Sequence, residues 1–311
     1  MIDRLAPLAR FLWPLAIANL LANIGIVVTG AAVRLTGSGL GCPTWPRCTD
    51  DSYTAHGELG IHGAIEFGNR LLTFVLAAVA ILCFLAALAA RDRRATRLSF
   101  VIGLGIPAQA LIGGVTVLTD LNPWIVALHF LVSMAIIMVC VGLLDHLRSP
   151  VRGRAPALHR RLAFANLAVG WVVLYLGTVV TGAGPHAGDE DAQRNGLDPA
   201  VVSQLHAVAV YLLVALTVAL LVVARRIGDR WLSLVTGLVL LIELGQGVLG
   251  WVQYWLELPV GLVALHMLGA GLLAAGLARI ALAVLPHRHD GEPAQTPSDT
   301  GSDTGSDTVS R

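Results

Sequence analysis

The chain has 311 residues, of which 56% are hydrophobic and 13% are charged, and its formal net charge is +1. Soluble domains carry about 25% charged residues, so this composition argues against an ordinary soluble domain and for a membrane protein. We expect no nucleic-acid partner.

Eight apolar runs follow one another along the chain, each close to the roughly 20 residues that a helix needs to span a bilayer. They are approximately residues 11–32, 66–90, 98–118, 124–145, 161–182, 200–224, 231–254 and 260–285. Because backbone groups in lipid must be hydrogen-bonded internally, the predicted fold is an all-α integral membrane protein with eight transmembrane helices. A very apolar soluble helical protein is the alternative. The first run is too long, and too polar at its far end, to be a cleavable signal.

Arginines are concentrated in alternate connections between the predicted helices, at residues 91–97, 148–161 and 225–230. The opposite connections contain more aspartate and glutamate. By the positive-inside rule, this asymmetry predicts a multi-pass protein of the cell membrane with both termini in the cytoplasm. The last residues, 287–311, form a polar, repetitive sequence that is typical of a disordered tail.

Two similar short sequence motifs reveal an internal repeat. "ALHFL" at 127–131 and "ALHML" at 264–268 place His129 and His266 at an offset of 137 positions. The same offset relates Gln109 to Gln246, Gly113 to Gly250 and Asn69 to His206. "VVTGA" also occurs twice, at 27–31 and 179–183. The repeat predicts two pseudo-symmetric four-helix bundles, residues 1–147 and 148–286.

The histidines within the predicted helices are candidate metal ligands. His206 and His266 lie near the outer ends of two helices of the second bundle, where a histidine pair can bind a heme iron from both sides. His129 has the equivalent place in the first bundle, but its expected partner is Asn69. The alternative is that these histidines have only a packing or hydrogen-bonding role. Zinc is the metal alternative, although no compact His, Cys and carboxylate cluster has suitable spacing.

The remaining histidines are expected to have other roles. His146, His159, His287 and His289 lie among arginines on the predicted cytoplasmic side, and we expect them to be solvated surface residues. His56 and His186 lie in outer loops, where they are either surface residues or elements of a gate.

The stretch "IHGAIEFGNR" at 61–70 places polar residues at the start of the second predicted helix. His62, Glu66 and Asn69 follow the spacing of one helix face. Arg70 is well suited to bind a carboxylate such as a heme propionate. The alternative for Glu66 and Arg70 is a simple ion pair between residues four positions apart.

Four cysteines divide into two groups. Cys42 and Cys48 lie in the first outer loop, on the oxidising side of the membrane, where we expect a short-loop disulfide. A dithiol that cycles between redox states and two unpaired thiols are the alternatives. Cys83 and Cys140 lie in apolar helices and are expected to be buried core residues.

Taken together, these motifs resemble the heme A synthase family, whose members oxidise heme O during cytochrome oxidase assembly. The resemblance rests on "GAAVRLTGSGLGCPTWPRC", "EFGNR", the two "ALH" words and the layout of two times four helices, and it covers residues 10 to 285. It implies that the first bundle binds the substrate heme O and the second a heme b. It also implies that Glu66 is catalytic. One departure is that Asn69 stands where the family commonly has histidine. Asparagine is a poor iron ligand, and His62 is a candidate replacement about 10 Å farther out along a helix.

The resemblance implies oxidation of a ring methyl of heme O to a formyl group, with oxygen from water. Glu66 would act as a general base. His206 and His266 would be the axial ligands of heme b, and His129 that of the substrate. The expected partners are the lipid bilayer, heme O synthase and other cytochrome oxidase assembly factors. The alternatives are a diheme b-type electron-transfer cytochrome and a heme-binding chaperone or transporter. A polyprenyl-transferring enzyme is disfavoured because the cytoplasmic loops contain no Asp-rich diphosphate motif.

Overall fold

The computed structural model describes residues 2–287, so that most of the predicted tail, including His289, lies outside the described residues. The described chain forms eight α-helices and contains no β-strand. The helices are α1 (Leu12–Leu35), α2 (Gly60–Ala89), α3 (Arg93–Leu118), α4 (Pro123–Arg148), α5 (Ala157–Ala183), α6 (Pro199–Arg226), α7 (Arg230–Trp255) and α8 (Val260–Ala283). Two 3-10 helices, Ile2–Phe11 and Gly57–Leu59, precede α1 and α2.

All eight α-helices are long and apolar enough to cross a membrane, which confirms the prediction of a multi-pass, all-α membrane protein. The largest difference from the predicted helices is at α2, which begins at Gly60 rather than near residue 66. α1 continues to Leu35. Residues 61–65, including His62, therefore lie within α2 rather than before it.

Side-chain caps define where four of the helices begin. In each case the side chain before the helix accepts a hydrogen bond from a backbone N–H of the first turn, which has no partner within the helix. The caps are Asp92 of α3, Asn122 of α4, Asp198 of α6 and Asp229 of α7. Prolines follow two of these caps, at a position where the missing N–H costs no helical bond.

Three apolar clusters form most of the core. One lies among α1–α4 and contains the buried thiols Cys83 and Cys140, as predicted. A second lies among α5–α8 around Leu213 and Leu277. The third joins α1, α4, α5 and α8. The first and fourth helices of each half therefore make the contact between the halves, an arrangement consistent with two pseudo-symmetric bundles.

The two ends of the helical assembly are distinct. At the end that we call the loop end, the connections 36–59, 119–122, 184–198 and 256–259 contact one another. For example, the Gly39 N–H donates to the Gly188 carbonyl at 2.8 Å, and His186 Nε2 lies 3.0 Å from the Leu258 carbonyl. At the opposite end, which we call the terminal end, Arg152 and His287 form an antiparallel backbone bridge.

A buried carboxylate ties the two halves together at the terminal end. Asp145 of α4 is 4% exposed. It accepts hydrogen bonds from Arg152 in the α4–α5 connection, at 2.9 and 3.0 Å, from Arg279 of α8, and from Ser149 at 2.7 Å. Because these donors come from separate segments, we call this group of four residues the terminal clasp.

The prediction that the histidines of this end are solvated is wrong for those that the structure describes. His146, His159 and His287 are 5%, 3% and 2% exposed, respectively. His146 contacts the Asp92 carboxylate at 2.8 Å, and His287 lies 3.8 Å from that of Asp145. The arginines nearby did not mark a solvated surface, because two of the guanidinium groups fold back onto the buried Asp145.

We expect Asp145→Asn to lower the thermal unfolding midpoint of the purified protein in detergent. The substitution leaves two guanidinium groups without their carboxylate, and breaking a buried ion pair costs about 3–5 kcal/mol. Asp120→Asn replaces an exposed carboxylate at the loop end and should leave the midpoint unchanged. Equal midpoints for Asp145→Asn and the wild type would contradict the role of the terminal clasp.

Candidate functional site

The connection between α1 and α2, residues 36–59, packs against the loop end of the first four helices. Cys42 and Cys48 form a disulfide and are both fully buried, which confirms that expectation. The Trp45 ring lies directly on Gly114 of α3, where an added Cβ would come within 2.4 Å of the ring. A Cβ at Gly41 would likewise come within 2.3 Å of the His62 carbonyl. The loop is therefore closely packed against α2 and α3.

Glu66 lies where this loop meets α2. Its side chain is buried, and both carboxylate oxygens accept hydrogen bonds. Oε2 accepts from the backbone N–H of Cys42 at 2.7 Å, and Oε1 accepts from Arg70 Nε and Nη2 at 3.1 and 2.5 Å. The carboxylate is consequently fixed in position by the disulfide loop on one side and by its own helix on the other.

Arg70 connects the same helix to the loop a second time. Besides Glu66, its guanidinium donates to the backbone carbonyls of Cys42, Thr44 and Arg47 at 3.0–3.1 Å. A guanidinium has five N–H donors, so these contacts, with two to Glu66, can use all of them. The Glu66–Arg70 ion pair considered from the sequence is thus present. Propionate binding by Arg70 stays a prediction, and it would require one of these carbonyls to be released.

Asn69 and His62 have separate partners. The Asn69 Oδ1 accepts a hydrogen bond from the Thr29 hydroxyl of α1 at 2.7 Å, and its Nδ2 donates to no group among the described residues. His62 is exposed in the first turn of α2, with its Nδ1 3.0 Å from Ser38 Oγ in the loop. His62 therefore belongs to the loop contact rather than to the interior of the bundle. Its role as a replacement ligand stays a prediction.

The three predicted ligand histidines share one environment. The Nδ1 atoms of His129, His206 and His266 are buried and have no hydrogen-bond partner within residues 2–287. Each ring lies against a glycine of the preceding helix, where an added Cβ would come within 3.3–3.7 Å of the ring Cε1. The pairs are His129 with Gly113, His206 with Gly177, and His266 with Gly250.

These contacts match the internal repeat. Gly113 and Gly250 have the offset of 137 positions that also relates their two histidines. Gly177, which contacts His206, corresponds through the "VVTGA" words to Gly25, which has no such neighbour because Asn69 replaces the histidine in the first half. Asn69 instead contacts Thr29 of the first "VVTGA", a contact that sequence reasoning missed although the repeated word pointed to it.

The donor set fits heme better than a bare metal ion. No group of three or more His, Cys, Asp or Glu side chains positioned to bind a metal ion occurs within the described part of the chain. Zinc in proteins usually takes three or four such ligands. Heme iron already has four porphyrin nitrogens and needs only one or two protein ligands. His129, His206 and His266 are imidazoles with a buried Nδ1, each packed against a glycine, and one or two imidazoles per site are enough for a heme.

The packing of Trp45 on Gly114 makes a specific prediction about the loop. Gly114→Ala should push the Trp45 ring off α3, because its Cβ would come within 2.4 Å of the ring. We therefore expect a phosphine reductant to reduce the Cys42–Cys48 disulfide several-fold faster in this variant than in the wild type. Alkylation of the released thiols and mass spectrometry measure the rate. Gly103→Ala, on the same helix but with no neighbouring atom within 4 Å, is the matched control. Equal reduction rates in both variants would contradict this packing.

Comparisons with known proteins agree with this arrangement. The family model for cytochrome oxidase assembly proteins matches residues 14–189, which is more than half of the chain. A heme A synthase from Exiguobacterium sibiricum is 27% identical over 171 residues, which are 51% of this chain and 55% of that protein. A heme A synthase from Bacillus mycoides and one from Bacillus cereus are each 29% identical over 183 residues, which are 55% of this chain and 57% of theirs.

These matches span little more than half the length of the relatives. The family match includes the disulfide loop, Glu66 and His129, and it ends before His206 and His266. The second half of the chain therefore rests on its own geometry and on the internal repeat. The chain belongs to the heme A synthase family of cytochrome oxidase assembly proteins.

Proposed function

We propose that this protein oxidises a ring methyl of heme O to a formyl group, producing heme A for cytochrome oxidase. The observation that carries this proposal is the buried Glu66 carboxylate, fixed by Cys42 and Arg70 one helical turn from Asn69, in the bundle with one candidate ligand histidine. An enzyme that removes protons from a bound heme needs such a group, whereas a protein that only carries heme does not.

The reaction sets what the first bundle must do. Conversion of a ring methyl to a formyl group consumes one water and releases four protons and four electrons. Glu66 lies at the loop end, where a proton accepted by its carboxylate has a short path to water. Among the described residues, Oε2 accepts only the Cys42 N–H, so it keeps a lone pair that can accept a proton. The Cys42 N–H and Arg70 orient the carboxylate before the proton arrives.

His129 and Asn69 would position the substrate. His129 is the candidate axial ligand, with Nε2 as the ligand atom because Nδ1 and Cε1 face Gly113. Asn69 has its Oδ1 engaged by Thr29, so its Nδ2 is available to hydrogen bond a water molecule or the substrate. On this account the first bundle binds the substrate iron from one side.

His206 and His266 would bind a resident heme b in the second bundle. Each ring packs on a glycine and has a buried Nδ1 without a hydrogen-bond partner among the described residues. A heme bound in this way supplies a one-electron acceptor beside the substrate bundle. The electrons released by methyl oxidation would finally require an external acceptor.

We further propose that the loop end faces away from the cytoplasm, in the cell membrane, with both termini cytoplasmic. The arginine-rich connections all lie at the terminal end, as the positive-inside rule requires. The disulfide would then lie on the oxidising side of the membrane. Heme O synthase and other assembly factors are the partners that this function calls for.

Glu66→Ala should lower the yield of heme A by about a hundredfold or more, because the variant lacks the proposed general base. The variant would be expressed with a source of heme O, and the extracted hemes would be separated by chromatography. Glu58→Ala, which removes an exposed carboxylate from the same segment, is the control and should retain normal yield. Near-normal heme A from Glu66→Ala would remove Glu66 from the mechanism. Absence of heme A in the wild type would favour an electron-transfer cytochrome or a heme carrier.

The histidine assignments predict different spectra. His206→Ala and His266→Ala should each remove the low-spin bis-histidine spectrum of the purified protein, because one axial ligand of heme b is lost. His129→Ala should retain that spectrum and bind added heme O more weakly. Optical titration of each purified variant measures both effects. Loss of the low-spin spectrum in His129→Ala alone would contradict the assignment.

A further inference from the structure

A buried acidic residue in the second bundle has no role in the function proposed above. Glu243 lies midway along α7 and is 3% exposed. Its Oε1 is 2.8 Å from the hydroxyl of Thr217 on α6, and its Oε2 is buried without a hydrogen-bond partner among the described residues. Thr217 also lies 2.5 Å from Oδ1 of Asn166 on α5. Intramembrane carboxylates are costly and commonly functional.

Thr217 has fewer protons to donate than it has acceptors within hydrogen-bond distance. Thr217 Oγ1 lies within hydrogen-bond distance of three acceptors, which are Glu243 Oε1, Asn166 Oδ1 and the Leu213 carbonyl. The Asn166 amide is oriented by its Nδ2, which donates to the Leu162 carbonyl at 2.9 Å. One hydroxyl has a single proton to donate. Both side-chain contacts of Thr217 are hydrogen bonds when Glu243 Oε1 carries a proton and donates it to Thr217, which then donates to Asn166.

The first half of the chain shows that the fold does not need this polar group. By the repeat offset of 137 positions, Glu243 corresponds to Ile106, Thr217 to Ala80 and Leu213 to Leu76. Leu76, Ala80 and Ile106 form one buried apolar cluster in the first bundle. The same helix contact can therefore be made by apolar side chains, and the carboxyl group belongs to the second bundle alone.

Glu243 lies close to the candidate heme ligands. Gly250, which contacts the His266 ring, is seven residues farther along α7, about 10 Å in a helix. α8 passes Glu243 between two contacts, Gly269 with Gln246 and Gly276 with Val239. The titratable side chains on the helices around it include His159 of α5, His206 of α6, and His266 and Arg279 of α8. No hydrogen bond within the described chain joins any of these four to Glu243.

We propose that Glu243, with Thr217 and Asn166, is a proton-binding site whose occupancy is coupled to the oxidation state of the heme bound by His206 and His266. This inference rests on the proposed heme site. When an external reductant gives the ferric iron one electron, the Glu243 carboxylate takes one proton from water, so the net charge of the bundle is unchanged. A charge added to a low-dielectric interior acts strongly on a neighbouring buried charge. The site would thus take up a proton with each electron released by methyl oxidation.

Redox titration of the purified holoprotein tests this coupling. At a fixed potential, the ratio of oxidised to reduced heme should rise with pH, by up to about tenfold per pH unit, equivalent to about 59 mV for one electron. The sign follows because proton loss from Glu243 leaves a negative charge that disfavours reduction. In Glu243→Gln the ratio should change less than about twofold per unit. Glu257→Gln removes an exposed carboxylate at the end of α7 and should behave as the wild type does.

Infrared difference spectroscopy of reduced minus oxidised protein gives a second readout. The wild type should show a carboxyl C=O band that shifts in D2O and is missing from Glu243→Gln. A normal low-spin spectrum with the same pH dependence in the wild type and Glu243→Gln would overturn the inference and leave the heme site intact. If neither the wild type nor any variant shows a low-spin heme, the proposed heme site is wrong, and the inference that rests on it is wrong too.

Discussion

Every polar group inside this protein is constrained by the membrane, because hydrocarbon offers no hydrogen-bond partner. Most of the buried polar side chains find partners within the fold. Asp145 accepts from two arginines and a serine, and Glu66 accepts from Arg70 and the Cys42 backbone. The Nδ1 atoms of His129, His206 and His266 have no such partner among the described residues. Where a membrane protein leaves buried polar groups unpaired at equivalent places in a repeat, a ligand is the natural explanation.

The loop end combines a covalent and an electrostatic attachment. The disulfide constrains the short segment that presents the Cys42 N–H, and Arg70 donates to three carbonyls of the same loop. Glu66 therefore depends on the loop for its position, since one of its two oxygens is bound by loop backbone. The chemistry proposed for the first bundle is coupled in this way to the folding of residues 36–59, and the loop is part of the site.

The internal repeat also explains how the two bundles differ. Each half packs its fourth helix against a glycine of the third through a histidine ring, and the halves meet through equivalent helices. The first half has Asn69 where the second has His206, and the second half has Glu243 where the first has Ile106. The first bundle thus has one candidate ligand histidine fewer, and the second has one carboxyl group more. These two exchanges are what a division between substrate oxidation and electron transfer would require.

Much of the fold follows from the sequence, because a helix that crosses lipid needs little besides length and apolarity. The histidine positions follow too, since a shared offset relates them. The buried state of His146, His159 and His287 does not follow, because it depends on contacts between distant segments, such as His146 with Asp92 and His287 with Asp145. The acceptors of Arg70 lie in irregular loop backbone, which has no sequence period.

Electron paramagnetic resonance of the wild type loaded with one equivalent of ferric heme O tests the central claim most directly. The account predicts one low-spin bis-histidine signal, from the second bundle, and one signal from a heme with a single histidine ligand. Two bis-histidine signals would contradict it.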